Sequence, residues 1–205
     1  MFLITIYKAL RKLYRMTFQP LYTPIARVLF YLNGATVGKH LNVGGFLQME
    51  VTRRGKLIIG ESLHLNSGQY HNVIGRQQHC IFWIEGTLSI GNNVGMSSTA
   101  IICHQQISIG NNVVIGGNTV IYDTDFHVLD PQVRNDKSMD RQGAKKAPVY
   151  IGNNVFIGAH STILKGVTIG ENSLIGACSV ITKNIPANEI WAGNPAKFIK
   201  AINLS

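Results

Sequence analysis

IGNNVFIGAHSTILKGVTIGENSLIGACSVITKNIP, residues 151–186, sets an aliphatic side chain at every sixth position: Ile151, Ile157, Ile163, Ile169, Ile175 and Ile181. Glycine follows four of them, at Gly152, Gly158, Gly170 and Gly176. A second run keeps the same step through Ile109, Ile115 and Ile121, with Gly110 and Gly116. A third runs through Ile90, Met96 and Ile102, with Gly91, and looser starts stand at Val37-Gly38 and Ile59-Gly60. A step of six is neither the helical period nor strand alternation. It describes a short strand and a turn, repeated. Three such units close one triangular coil with the aliphatic side chains inside. Gly and the pairs Asn92-Asn93, Asn111-Asn112 and Asn153-Asn154 then fall at corners, where positive φ is cheap for Gly and tolerable for Asn. Each coil buries its apolar face only against its neighbours, so several must stack. The reading is an all-β solenoid, a parallel β-helix.

Working outward, the spacing from Ile121 to Ile151 is a multiple of six, yet the pattern fails between them. Residues 123–147 are polar and charged, and a long irregular segment inside a repeat fold is usually functional or disordered. They read as a loop protruding from one corner and returning in register. Residues 1–34 lack the repeat. Leu3, Ile6, Leu10, Leu13 and Tyr14 fall at helical spacing, with Lys8, Arg11, Lys12 and Arg15 largely elsewhere, which makes an amphipathic helix. Pro20 and Pro24 break it, and a second short helix is expected from Pro24 to Leu32. This segment either touches an anionic membrane face or packs on the solenoid end or another subunit. The β-helix is assigned to residues 35–190, closed at Ile185-Pro186. In the tail, 191–205, a turn over Trp191–Lys197 leads into a short helix or strand from Phe198 to Ile202.

Composition narrows the function. Hydrophobic residues are 45% and charged residues 14% of the 205, which excludes a disordered chain. The net charge is +9, but no aromatic-rich RNA motif, zinc knuckle or helix-turn-helix pattern accompanies it, so no nucleic-acid partner is expected. Cys80, Cys103 and Cys178 are too widely spaced for a zinc site or disulfide framework and read as buried thiols in a reducing cytoplasm. No run of 18 apolar residues suggests a membrane span, and the N-terminus makes a poor signal peptide.

The run from Ile151 to Lys200, with its IGA, ITK and AGNPAK motifs and the looped-out His127, resembles the hexapeptide-repeat acetyltransferases, the branch that includes galactoside, maltose and nodulation-factor O-acetyltransferases, serine acetyltransferase and capsule or colanic-acid O-acetyltransferases. The match covers residues 90–202 well and the N-terminal part poorly. That resemblance implies a left-handed coil, where crossover rules alone would favour the right hand. It implies acetyl-CoA as donor, no metal, and a homotrimer with active sites between subunits. It places pantetheine against Ala159 and Ala177, with the Ala159 amide near the developing oxyanion, and the CoA adenosine end near Thr182, Lys183, Lys197 and Lys200. It gives His127, in Tyr-Asp-Thr-Asp-Phe-His, the role of general base. A sugar hydroxyl is a poor nucleophile at neutral pH, and an imidazole in reach can take its proton as the oxygen attacks the thioester. Asp123 or Asp125 would orient the ring or touch the acceptor, or simply cap loop turns. His104 and Ser97 fall near acceptor-binding positions of galactoside-type enzymes but differ from them in residue type, so simple sugar acceptors are not carried over.

The function expected is acetyl transfer to a hydroxyl of a saccharide or glycan precursor, in the cytoplasm or at the inner membrane face. N-acetylation of a nucleotide-linked amino sugar is an alternative, weakened because residues 1–50 hold no βαβ pattern or phosphate loop. Serine O-acetylation is another. A zinc enzyme of the γ-carbonic-anhydrase type, which this chain resembles only in its hexads, would need three His ligands meeting between subunits; that family places two of them five residues apart, and this chain has none so spaced. A non-catalytic scaffold needs neither the 123–147 excursion nor the ITK and AGNPAK endings.

Overall fold

Three columns of aliphatic side chains run the length of the interior. Ile90, Ile109, Ile151 and Ile169 stack in one; Met96, Ile115, Ile157 and Ile175 in the second; Ile101, Ile121, Ile163 and Ile181 in the third. All are at most 3% exposed. Burying such a side chain is worth about 1.5–3 kcal/mol, so the columns are the main cohesive element. The computed structural model describes residues 1–72, 74 and 78–203; the last two residues of the expected tail and the side chain of Arg15 lie outside that set.

The chain winds through three parallel sheets in strict rotation, as a left-handed β-helix. Face one holds Thr36–Val37, Lys56–Ile59, Thr87–Ile90, Gln106–Ile109, Val149–Ile151 and Thr168–Ile169. Face two holds Asn42–Gly44, His64–Asn66, Gly95–Ser97, Val114–Ile115, Phe156–Ile157, Leu174–Ile175 and Glu189–Gly193. Face three holds Leu47–Val51, Cys80–Ile84, Ala100–Cys103, Val120–Tyr122, Thr162–Ile163 and Val180–Ile181. The expected phase across the excursion holds, since Ile109 pairs with Ile151 and Ile121 with Ile163.

One hexad position fails by a single residue. Ile101, not Ile102, pairs with Ile121 and is fully buried, while Ile102 faces outward. The strand Ala100–Cys103 is longer than a two-residue rung, and a one-residue slip in a strand exchanges its two faces.

The Asn-Asn pairs explain the edge between faces one and two. Asn93, Asn112, Asn154 and Asn172 adopt φ between 54° and 58°. Their side chains form a ladder, each amide donating to the next carbonyl, from Asn93 to Asn112 (3.0 Å), Asn154 (3.1 Å), Asn172 (2.9 Å) and Asn188 (2.8 Å). The other Asn of each pair accepts a backbone N–H from the neighbouring coil, as Asn111 does from Asn92 at 2.8 Å. Corner asparagines therefore satisfy backbone groups that a turn leaves open.

Helix α1 spans Phe2–Phe18, a short turn follows over Gln19–Leu21, and α2 spans Tyr22–Leu32. Helix α2 begins before Pro24 because proline is tolerated in a first turn. It covers the open end of the solenoid with buried Ala26 and Phe30, the latter 6.4 Å from the Phe82 ring. Thr23 Oγ1 accepts the Val43 N–H and Asn33 Oδ1 accepts the Val51 N–H, both at 3.0 Å. The described side chains of helix α1 are exposed, and its Tyr14 borders a cavity with Gly45, Phe46 and Ser67 of the solenoid. At the other end Ile185 bridges to Ile169, and the chain continues for one more strand on face two before Ala196–Ala201 returns antiparallel to it.

Residues 123–147 leave from the edge between faces three and one on a short antiparallel stem. Thr124 bridges Lys146, and Ala147 N–H donates to the Asp123 carbonyl at 3.0 Å. The polar stretch is built, not irregular: α3 spans Pro131–Arg134 and α4 spans Lys137–Gly143. Asp130 and Asp136 cap them by accepting backbone N–H groups.

Candidate active site

The excursion carries His127 back toward the solenoid, and α4 fixes its ring. Asp140 is nearly buried, and its Oδ2 lies 2.6 Å from His127 Nδ1 while its Oδ1 accepts the Val128 N–H at 2.8 Å. The imidazole and the Val128 amide hold the Asp140 carboxyl below its ordinary pKa. A carboxylate on Nδ1 fixes the tautomer with the proton there and leaves Nε2 as the basic nitrogen. The ring itself is two-thirds exposed, open to an incoming hydroxyl.

His127 and Asp140 rim a cavity of about 550 Å³ whose other walls are Ile81, Trp83, Glu85, Ile102, His104, Phe126 and Arg141. Ile81, Trp83 and Ile102 come from the outward side of face three. The Ile102 slip is what puts an aliphatic group there. Glu85 is the hub of its polar side. Its carboxylate lies 3.3 Å from Arg141 Nη2 of α4, 3.6 Å from His104 Nδ1 and 3.5 Å from the Trp83 indole nitrogen. Burial pushes the Glu85 carboxyl up, but His104, the Trp83 N–H and Arg141 outweigh it and hold the group below its ordinary pKa.

Of the two aspartates expected near the ring, Asp123 does other work, while Asp125 lines a second cavity together with His127. Asp123 is fully buried and accepts three backbone N–H groups, from His104 (2.7 Å), Gln105 (2.7 Å) and Gln106 (2.8 Å). It neither orients the imidazole nor faces the cavity; it knits adjacent coils at the foot of the excursion. Asp125 forms an ion pair with Lys165 at 2.8 Å, fastening the loop to the next coil. The orienting carboxylate is Asp140, which sequence reading passed over. Its signal was present: the Asp136 cap and the run to Gly143 spell a short helix placing residue 140 on one side.

The other expected residues divide between two edges. Ser97, Ala159 and Ala177 fall on the edge between faces two and three, where the His160 N–H donates to the Gly117 carbonyl and the Cys178 N–H to the Ala159 carbonyl, each at 2.8 Å. Ser97 accepts from Asn66 at 3.3 Å and is not among the residues lining the His127 cavity. Thr182 and Lys183 fall on the edge between faces three and one, on the His127 side and two coils further along, about 10 Å at the usual strand spacing. The Lys183 ammonium lies 5.4 Å from the Trp191 ring centroid. Lys197 and Lys200 are exposed on the final strand. His104 does join His127, on the cavity wall. Cys80 and Cys103 are buried as expected, but Cys178 is exposed. Among the described residues no group of three His, Cys, Asp or Glu is arranged to hold a metal ion, and no helix is long and apolar enough to cross a membrane.

This winding is shared with known proteins. The family model "Bacterial transferase hexapeptide (six repeats)" matches residues 148–183. The galactoside O-acetyltransferase of Lactococcus lactis is 33% identical over 76% of this chain and 68% of its own length. That of Escherichia coli is 37% identical over 59% of this chain, which spans 61% of the Escherichia coli protein. A maltose O-acetyltransferase of Clostridium difficile 630, of solved structure, is 31% identical, with a TM-score of 0.61 over 96% of this chain and 84% of its own. The chain belongs to the hexapeptide-repeat acetyltransferase family.

Proposed function

We propose that the protein transfers the acetyl group of acetyl-CoA to a hydroxyl of a saccharide or glycan precursor, with His127 as general base. The observation that carries this reading is the Asp140–His127 pair at the mouth of a cavity, in a family whose named relatives are sugar O-acetyltransferases. Nε2 of His127 takes the acceptor proton as the oxygen attacks the thioester carbonyl, and the Ala159 amide steadies the oxyanion. The imidazolium then returns the proton to the departing thiolate. Asp140 stabilises the imidazolium without taking its proton. Acetyl-CoA lies along Ala159 and Ala177, with Thr182, Lys183, Lys197 and Lys200 near its phosphorylated end.

The active assembly in this reading is a homotrimer. Its support is geometric: the alanines and His127 lie on different edges of one prism, so an edge of a neighbouring copy completes each site. The reading also includes a cytoplasmic protein resting against the inner membrane face. The three free cysteines suit a reducing compartment. Helix α1 exposes Leu3, Leu10 and Leu13, and no acidic residue precedes Glu50. The test of the reaction is release of free thiol from acetyl-CoA across sugars, nucleotide sugars and serine. Failure to bind acetyl-CoA and to release thiol with every acceptor would leave a scaffold.

A further inference from the structure

Helix α1 sorts its side chains into two sectors. At about 100° per residue, Phe2, Leu3, Ile6, Leu10 and Leu13 share one side, and Lys8, Arg11 and Lys12 the other. Leu3, Leu10 and Leu13 are each more than half exposed. No acidic residue precedes Glu50, and no ion pair among the described residues engages these three cations. The helix is nonetheless anchored. The Tyr14 hydroxyl lies 3.2 Å from that of Tyr22, and the Tyr22 ring packs edge-on against Phe46 of the first coil at 5.0 Å. Beside the helix is a cavity of about 860 Å³, lined by Tyr7, Arg11 and Tyr14 of α1 and by Asn66 and Tyr70 of the solenoid. Tyr7, Arg11 and Tyr14 stand four and three residues apart, so they form one stripe, at the border of the apolar and basic sectors. Each of these five side chains can donate a hydrogen bond, and no carboxylate is among the described walls.

From this we infer that α1 lies in the plane of an anionic bilayer, leucines toward the acyl chains, and that the cavity beside it seats the phosphate of one phospholipid headgroup, held by the Arg11 guanidinium and the Tyr7 and Tyr70 hydroxyls. The inference rests on the membrane contact proposed above and adds to it a lipid charge, a helix face and a site. It does not depend on acetyl transfer. Charge selects the occupant. A second copy of the chain could cover the leucines, but it would bring more cations and no anion to the cavity. A lipid phosphate satisfies both sectors: its chains continue the apolar one, and a guanidinium grips its oxygens two at a time.

Flotation of the full chain with vesicles tests this. Vesicles containing phosphatidylglycerol should bind the protein, vesicles of phosphatidylcholine alone should not, and binding should weaken as salt rises. Leu10→Glu should abolish it. Lys12→Gln, which removes a charge outside the cavity, should weaken binding about fivefold. Arg11→Gln removes one charge as well but should weaken it roughly thirtyfold, because the phosphate contact goes too. Tyr70→Phe, which leaves the helix and the net charge untouched, should weaken it roughly threefold. Equal losses for Arg11→Gln and Lys12→Gln, with Tyr70→Phe unchanged, overturn the headgroup site while the surface contact stands. No binding to anionic vesicles overturns both. In that event, a smaller assembly for Leu10→Glu in solution would assign the leucines to a second copy, and thermal stabilisation by glycerol phosphate would assign the cavity to a soluble anion.

Discussion

Nδ1 of His127 lies 2.6 Å from Oδ2 of Asp140, a residue thirteen positions later on a helix that also sends Arg141 to Glu85. One turn of α4 therefore fixes both the base and the polar wall of the cavity. His127→Ala should lower acetyl transfer by roughly 10²–10⁴-fold while leaving the Kd for acetyl-CoA nearly unchanged. Asp140→Asn should lower kcat without altering CoA affinity, because it removes the partner that fixes the tautomer. Calorimetry and a thiol-release assay on the two variants check both. A Kd that rises along with the loss of turnover would mean a displaced loop.

Lys183→Ala should weaken CoA roughly fivefold. The same substitution should matter less for CoA lacking its 3′-phosphate. Equal losses for the two ligands would show that Lys183 does not read that phosphate.

Asp123→Ala should destabilise the fold by about 2–5 kcal/mol, measured by urea denaturation, because three buried N–H groups lose their acceptor. Asp125→Ala, which breaks an ion pair that is only partly buried, should cost less than about 1 kcal/mol.

Acid should act on the excursion through Asp140 and Glu85. Both carboxyls are held below their ordinary values in the native protein. Their stabilising contribution is complete above the unfolded pKa and is lost as pH falls through the lowered native one. The loop should therefore stay fastened as pH drops past the usual carboxylate range and loosen only below it. Hydrogen exchange at residues 126–143 across pH 3 to 7 measures this, and Asp140→Asn should shrink the acid-dependent part.

Alkylation gives a separate check on the CoA groove. Cys178 is exposed next to Ala177, whereas Cys80 and Cys103 are buried. Burial pushes the Cys80 thiol up to about 11. Burial, with the Asp123 carboxylate, pushes Cys103 up as well. Iodoacetamide should modify Cys178 alone in the folded protein, and CoA should slow that reaction. Undiminished labelling at saturating CoA would move the groove away from Ala177.

The solenoid was legible because Ile109, Ile115, Ile121 and their successors repeat a local rule, and stacking adds nothing the period does not already state. His127 was legible as a histidine in a break of that rule. Asp140 was not, because its role depends on where a folded excursion returns in space. Asp123 misled for the opposite reason. It is near His127 in sequence, but a carboxylate at the foot of the excursion meets open backbone N–H groups first. Ile102 and Trp83 belong to face three, where a step of six does not say which neighbour points outward.

The two ends of the solenoid carry a final consequence. At one, Thr23 and Asn33 take up the N–H groups of Val43 and Val51; at the other, the reversed strand Ala196–Ala201 lays Lys197 and Lys200 along the last rung. A parallel stack left bare would recruit another copy head to tail and grow into a filament. Capping at both termini opposes that route, and the trimer proposed above would form side by side, with the edge of one molecule against the edge of the next.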